Sequence, residues 1–219
     1  MVKKFAIFLF CGFLTFSMQA QNFGGGIILG ISSSQVNGDD LGGFNKAGLL
    51  AGVFANKSIS ELLSFQMEMT YIQKGSNNPN INNLEHSNEG VPNISSSYIE
   101  VPLIIQYKQS DILAIEGGVQ IGYLIDAYYH DSNGGRITYT DNEGNYFGYP
   151  FINRDVGVLI GLKYKYSEHI SINTRLSNSV FPIGKEDYEN FKIYNSHRKG
   201  KYNTVLSFSI HYNFINYNF

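Results

Sequence analysis

The chain has 219 residues, with 16 Lys plus Arg against 18 Asp plus Glu, 23 Gly, 16 Tyr, 16 Phe and no Trp. A net charge of −2 supplies no basic field for nucleic acid, and the single cysteine, Cys11, leaves no disulfide, thiolate metal site or cysteine nucleophile beyond it. No apolar run of about 20 residues follows the N-terminal segment, so the sequence holds no membrane-spanning helix.

Residues 1–20 read as an export signal. Lys3 and Lys4 form the positive start, residues 5–16 the apolar run, and Ser17-Met18-Gln19-Ala20 ends on the small residue that signal peptidase requires. Cleavage after Ala20 leaves residues 21–219 as one domain. Cys11 follows Phe10, which is too large for a lipoprotein box, so lipidation is not expected there.

Eight strands are predicted next, each with the period of two that separates an apolar face from a polar one. The first covers residues 23–34, with Ile27, Leu29 and Ile31 on one face. The second, residues 46–56, is apolar but small on both faces. The third sets Phe65, Met67, Met69 and Tyr71 against Ser64, Gln66, Glu68 and Thr70. In the fourth, Ile99, Val101, Leu103, Ile105 and Tyr107 oppose a face that carries Glu100, Pro102 and Gln106. The fifth opposes Ile115, Val119 and Ile121 to Glu116, Gly118 and Gln120, and the sixth opposes Val158, Ile160 and Leu162 to Asp155, Lys163 and Lys165. The seventh sets Ile170, Ile172, Thr174 and Leu176 against Ser171, Asn173 and Arg175. The eighth alternates Leu206, Phe208, Ile210, Tyr212 and Phe214 with Asn203, Ser207, Ser209, His211 and Asn213, and Val205 is its one apolar exception.

The connections alternate as well. Residues 57–62, 109–111 and 167–169 are short links, whereas 35–45, 75–95, 129–153 and 182–200 are long and polar. Transmembrane barrels of the outer membrane have short periplasmic turns and long extracellular loops. The predicted fold is therefore all-β: an eight-stranded antiparallel up-and-down transmembrane barrel with both termini periplasmic. Its last strand must pair with its first, because an open edge cannot stand in lipid.

Within the long links, residues 136–140 and 146–149 read as a hairpin that continues the fifth and sixth strands. Residues 131–135 and 141–145 are turn chemistry rather than calcium loops, since neither has the full ligand spacing or the terminal bidentate Glu. His86, His130 and His197 read as solvated loop histidines. No cofactor or metal is expected.

Glu68, Glu100, Glu116, Asp155, Lys163, Lys165 and Arg175 all fall on the inward parity. A lysine or arginine facing lipid at mid-bilayer costs roughly 2–4 kcal/mol, which explains the placement. An eight-stranded barrel is just wide enough for side chains to fill it, so these charges are expected to pair into a plug. The alternative is a narrow selective channel lined by the same charges. A third reading is an enzyme. His169 and Ser171 stand two apart on one strand face, which resembles a barrel-borne lipid A deacylase; serine hydrolysis also needs an orienting carboxylate, and this pair begins the seventh strand at the periplasmic turn whereas that deacylase works from the outer leaflet.

The leader ending near Ala20-Gln21, the Gly-rich first strand, Tyr71-Ile72-Gln73-Lys74-Gly75, Tyr98-Ile99-Glu100-Val101-Pro102-Leu103 and the closing aromatic strand together resemble the PorT-type outer-membrane β-barrel proteins. Pro102 is odd in a central strand because it removes a ladder donor; the family has it there. The resemblance implies a porin-like barrel in the outer membrane of a Gram-negative cell. Its implied partners are outer-membrane lipid, the barrel-assembly machinery acting on the C-terminal aromatic strand, and secretion-system proteins. Tyr212-Asn213-Phe214 matches the family terminus, yet Tyr217-Asn218-Phe219 offers a second aromatic ending.

Overall fold

The computed structural model describes residues 23–39, 42–77, 93–130, 136–137, 151–184 and 200–215. The expected leader, the 131–135 and 141–145 turns, His86, His197 and the second aromatic ending lie outside the described residues. Among the described residues there are nine strands: β1 (Phe23–Asn37), β2 (Lys46–Ser58), β3 (Leu63–Ser76), β4 (Asn93–Lys108), β5 (Leu113–His130), β6 (Arg136–Ile137), β7 (Arg154–Lys165), β8 (Ile170–Ser179) and β9 (Tyr202–Asn213). All but β6 form one closed antiparallel barrel, in the order β1-β2-β3-β4-β5-β7-β8-β9 and back to β1. The closing seam pairs Gly26 with Asn213 near one end and Asn37 with Tyr202 at the other.

The predicted faces are the observed ones because side chains on a pleated strand alternate whatever surrounds them. Leu29, Leu49, Met69, Val119, Ile160 and Ile210 stand outward and at least half exposed, a surface suited to hydrocarbon. Aromatic residues border it at the turn end, where Phe23, Tyr107, Tyr164 and Tyr212 point out; Tyr123 marks the loop end. Lys57 is outward too, but it sits at the turn margin with its ammonium 5.0 Å from the Phe23 ring centre, where a long side chain can reach headgroups.

The three short turns share one local device. Ser60, Ser110 and Ser167 each accept a backbone N–H three residues on, from Leu63 at 3.1 Å, Leu113 at 3.2 Å and Ile170 at 3.1 Å. A serine hydroxyl satisfies a turn donor that the ladder cannot reach. Each turn also bonds to the next strand: Lys108 N–H donates to Leu62 O, Lys165 N–H to Ile112 O and Asn213 N–H to His169 O.

Three features depart from a regular ladder. The β3–β4 register runs from Met67↔Leu103 directly to Thr70↔Glu100, so the pairing is interrupted where Pro102 has no N–H to give. A bulge at Ser97/Tyr98 shifts β4 against β5. It turns both Leu124 and Ala127 inward although they are three apart. The strands also outrun their predicted ends, since β4 begins at Asn93 and β5 reaches His130. Above the lipid no face needs to be apolar, and the backbone keeps pairing after the alternation has faded. Of the expected hairpin, only Arg136 and Ile137 are described, and they pair with His130 and Tyr129 of β5; residues 138–140 and 146–149 lie outside the described residues.

Candidate functional site

The inward faces converge on a lumen filled by side chains. At mid-height, Arg175 of β8 spans the barrel to two carboxylates. Its Nη1 and Nη2 donate to the two oxygens of Glu68 at 2.8 Å each, and its Nε donates to Glu116 Oε2 at 2.6 Å. The planar guanidinium matches a carboxylate bidentately, which a lysine cannot do. Uncharged donors complete the acceptors. Asn173 Nδ2 reaches Glu116 Oε1 at 3.0 Å, and Gln106 Nε2 reaches the same oxygen at 2.7 Å and Gln66 Oε1 at 3.0 Å. Lys163 Nζ donates to Gln66 Oε1 at 3.4 Å.

A second cluster lies nearer the loop end. Lys74 Nζ is 2.5 Å from Glu100 Oε1 and 3.1 Å from Asp155 Oδ2. Asp155 also accepts from Ser179 Oγ at 2.6 Å and Asn203 Nδ2 at 2.9 Å, so its lone pairs are satisfied without water. Glycines on neighbouring strands leave space for these long groups. A Cβ on Gly161 would lie 2.6 Å from Arg175 Cγ, and one on Gly122 would lie 3.2 Å from Glu100 Oε1.

Glu68, Glu116, Lys163 and Arg175 are thus brought together, and Glu100 and Asp155 form the second group. Lys165 occupies the last position of β7, half-buried at the turn end, where inward parity no longer means enclosure. Its charge reaches the neighbouring turn: the hydrogen bond and charge of Lys108, 2.9 Å away, and the more distant Lys165 hold the exposed Asp111 carboxyl below its ordinary range. Lys74 was not among the expected charges. It lies on the Glu68 parity, and continuing the third strand's alternation through Thr70 and Ile72 would have found it.

The loop end of the lumen holds an apolar cluster beside buried polar groups such as Asp39, which accepts from Ser76. Val36, Ile72, Ile94, Tyr98, Leu124, Ala127, Phe151, Ile183 and Val205 form one buried cluster. Val205, the exception in the last strand, belongs to it. Phe151 and Ile183 lie beyond the strands proper, on wall segments joined by the Phe151↔Gly184 bridge and by Ile152 N–H donating to Ile183 O at 2.8 Å.

At the turn end, His169 Nδ1 contacts the Asn213 carbonyl at 2.9 Å, and Ser171 is buried with no hydrogen-bond partner for its Oγ. The two are therefore not hydrogen-bonded to each other. Across the ladder Ser171 faces His211, whose Nε2 meets Ser209 Oγ at 3.1 Å while Nδ1 has no partner. Among the described residues, the Nδ1 position that an orienting carboxylate would take meets a backbone carbonyl in His169 and no partner in His211. His130 packs near Tyr128, with ring centres 5.8 Å apart.

A family model described as "Outer membrane protein beta-barrel domain" matches residues 19–184. No curated protein matches the chain. Among solved structures, Ail, the attachment invasion locus protein of Yersinia pestis, is similar at 11% identity and TM-score 0.50, covering 88% of this chain and 99% of its own. Neisserial surface protein A is similar at 11% identity and TM-score 0.47, covering 88% and 97%. At such identities the likeness is one of fold.

Proposed function

The chain belongs to the outer membrane protein beta-barrel domain family, and we propose that it serves there as a closed, non-enzymatic barrel of the PorT type that presents its long connections for surface contact or as a secretion accessory. One observation carries the closed reading. Gln66, Glu116, Lys163, Asn173 and His211 span the lumen and are each no more than 1% exposed, so no water-sized passage runs beside them. A conducting pore needs a hydrated path through the barrel. Here the volume is occupied by paired charges and amides, the condition under which a small barrel is a solid strut. The orphaned Ser171 and the carboxylate-free His169 and His211 support a role without bond-breaking chemistry.

The even number of barrel strands and the short turns beside β1 and β9 support periplasmic termini, with the long connections outside. Outer-membrane lipid is the solvent of the outward face, and the aromatic end of β9 suits recognition by the barrel-assembly machinery. Secretion-system proteins are the partners that a PorT-type role would entail. The net charge of −2 gives nucleic acid no overall attraction.

Reconstituted in planar bilayers, the protein is expected to show no steady single-channel openings; steady openings would sink the closed reading and restore the narrow channel. Deletion of the gene followed by a census of secreted and surface proteins separates the two roles. Broad loss of secreted cargo identifies the secretion accessory. Unchanged secretion with altered surface adhesion identifies surface contact, and no change in either removes both.

A further inference from the structure

The charges enclosed in the lumen do not balance. Glu68, Glu100, Glu116 and Asp155 are buried with Lys74, Lys163 and Arg175, which leaves one negative charge over. Asp39, the other buried carboxylate, lies at the loop end on Ser76 and has further interactions of its own. Three of the four lumen carboxylates are well supplied with donors. Arg175 holds both oxygens of Glu68, Arg175 with Gln106 and Asn173 covers both of Glu116, and Ser179, Asn203 and Lys74 cover both of Asp155. Glu100 differs. Lys74 Nζ, 2.5 Å away, and Gln120 Nε2, 3.3 Å away, both reach its Oε1, and among the described residues no donor reaches Oε2. Its one cation is shared with Asp155, and on the β3–β4 ladder it pairs with Thr70, which puts Glu68 at the diagonal position. An ionised carboxylate enclosed in this way is costly unless a cation joins it.

Two further acceptors border the same ammonium group with nothing donated to them. Asn203 uses its Nδ2 on Asp155 Oδ2, 2.9 Å away, while its Oδ1 is buried without a partner. Tyr98 stands one inward position from Glu100 on β4, its ring centre 5.0 Å from Lys74 Nζ, and its hydroxyl is also buried without a partner. Neither residue is more than 1% exposed, and buried polar atoms are seldom left unfilled. We propose that the lumen takes up one positive charge from solution, a proton or an alkali-metal ion, at Glu100 Oε2, with the Asn203 carbonyl and the Tyr98 hydroxyl beside it. That charge completes the balance, and Lys74 no longer serves two carboxylates alone. A hard cation takes carboxylate, carbonyl and hydroxyl oxygens, and a proton on Oε2 turns that oxygen into a donor for a neighbouring acceptor. A divalent ion would overcharge the lumen by one. The Arg175 bridge needs no such addition, because Glu68 and Glu116 are matched in number by Arg175 and Lys163.

The site rests on the closed reading, since water and salt in an open lumen would screen the excess charge, and planar-bilayer conductance tests that reading separately. Glu100→Gln keeps the shape of the side chain and removes its charge. The folded band on heat-modifiable gels should persist, and the urea midpoint in lipid vesicles should be no lower than in the unaltered protein. Glu116→Gln, which takes one carboxylate from Arg175, should lower it. Equal loss in the two variants would show that Glu100 is already matched and would overturn the site. The source of the charge is read at neutral pH. A proton gives the infrared carbonyl stretch of a neutral carboxyl group in the unaltered protein, moved in heavy water and lost in Glu100→Gln. An alkali-metal ion gives no such band, but the midpoint of the unaltered protein falls when sodium and potassium are replaced by choline at constant ionic strength, and that of Glu100→Gln does not. Absence of both signals, or persistence of either in Glu100→Gln, overturns the proposal. Should Glu100→Gln not fold, Glu100→Asp, which draws the carboxyl back by one methylene, must shift the same band or weaken the same ion dependence; a signal that it leaves unmoved counts against Glu100. Steady conductance in the unaltered barrel would instead defeat the closed reading, whatever these signals show.

Discussion

Arg175 shows how much one residue carries in this lumen. It holds two buried carboxylates, and its removal leaves Glu68 and Glu116 enclosed without a cation of matching geometry. Breaking a buried pair from one side costs roughly 3–5 kcal/mol, far more than the intact pair contributes over an apolar substitute. Arg175→Ala is therefore expected to lower the unfolding free energy by about that amount, measured by denaturant titration in lipid vesicles. Arg175→Lys should fall between, since an ammonium cannot make the fork-shaped contact. Such a residue is legible in the sequence as an inward charge, because parity alone decides which face it takes. Its partners are not legible. Gly161 signals only in retrospect that a neighbour needed room, and Lys165 shows the limit of parity at a strand's last position.

Each strand is an element with two solvents, hydrocarbon outside and packed polar groups inside. The outward face of β7 reads Val156, Val158, Ile160, Leu162 and Tyr164, with Ile160 at its middle. Ile160→Lys is expected to destabilise the inserted barrel by roughly 2–4 kcal/mol, while Tyr164→Lys at the margin should cost about 0–1 kcal/mol. Equal costs at the two positions, in folding titrations into vesicles, would argue against this face meeting lipid. Toward the loops the outer face of β1 turns polar, and Asn37 Nδ2 donates to Thr204 Oγ1 at 2.9 Å, so the apolar belt ends below that level. This change of solvent is why the alternation signalled strands well across the belt. It signalled their ends poorly at Asn93–Ser97 of β4, where Ile94 is the one apolar residue and no alternation shows.

For the whole molecule, closure is the decisive event, and it depends on a tight seam. A Cβ at Gly26 would lie 1.9 Å from Tyr212 O and 2.8 Å from the Phe54 ring, which itself packs 5.3 Å from the His211 ring. Gly26→Val is expected to abolish the fast-migrating unboiled species on gels, because β9 cannot approach β1. Gly117→Ala is the control: its added Cβ meets nothing within 4 Å, so the folded band should persist. A folded Gly26→Val band would show that the seam adjusts more than close packing allows.

The sequence by itself determined the period of two, the alternation of short and long connections, and therefore the all-β barrel and the side each charge faces. Those follow from local rules: strand geometry fixes the face of a side chain, and lipid rejects charge. The contacts across the lumen were decided by the tertiary structure alone. Arg175 and Glu68 are 107 positions apart and meet only because closure and strand stagger bring β8 opposite β3 at that height. The same stagger divides the charges into two groups, draws in Lys74, and gathers Phe151 and Ile183 into the apolar cluster with Ile72 and Val205. No local rule specifies a height along the barrel axis, since that is a property of the closed ring and not of any one strand.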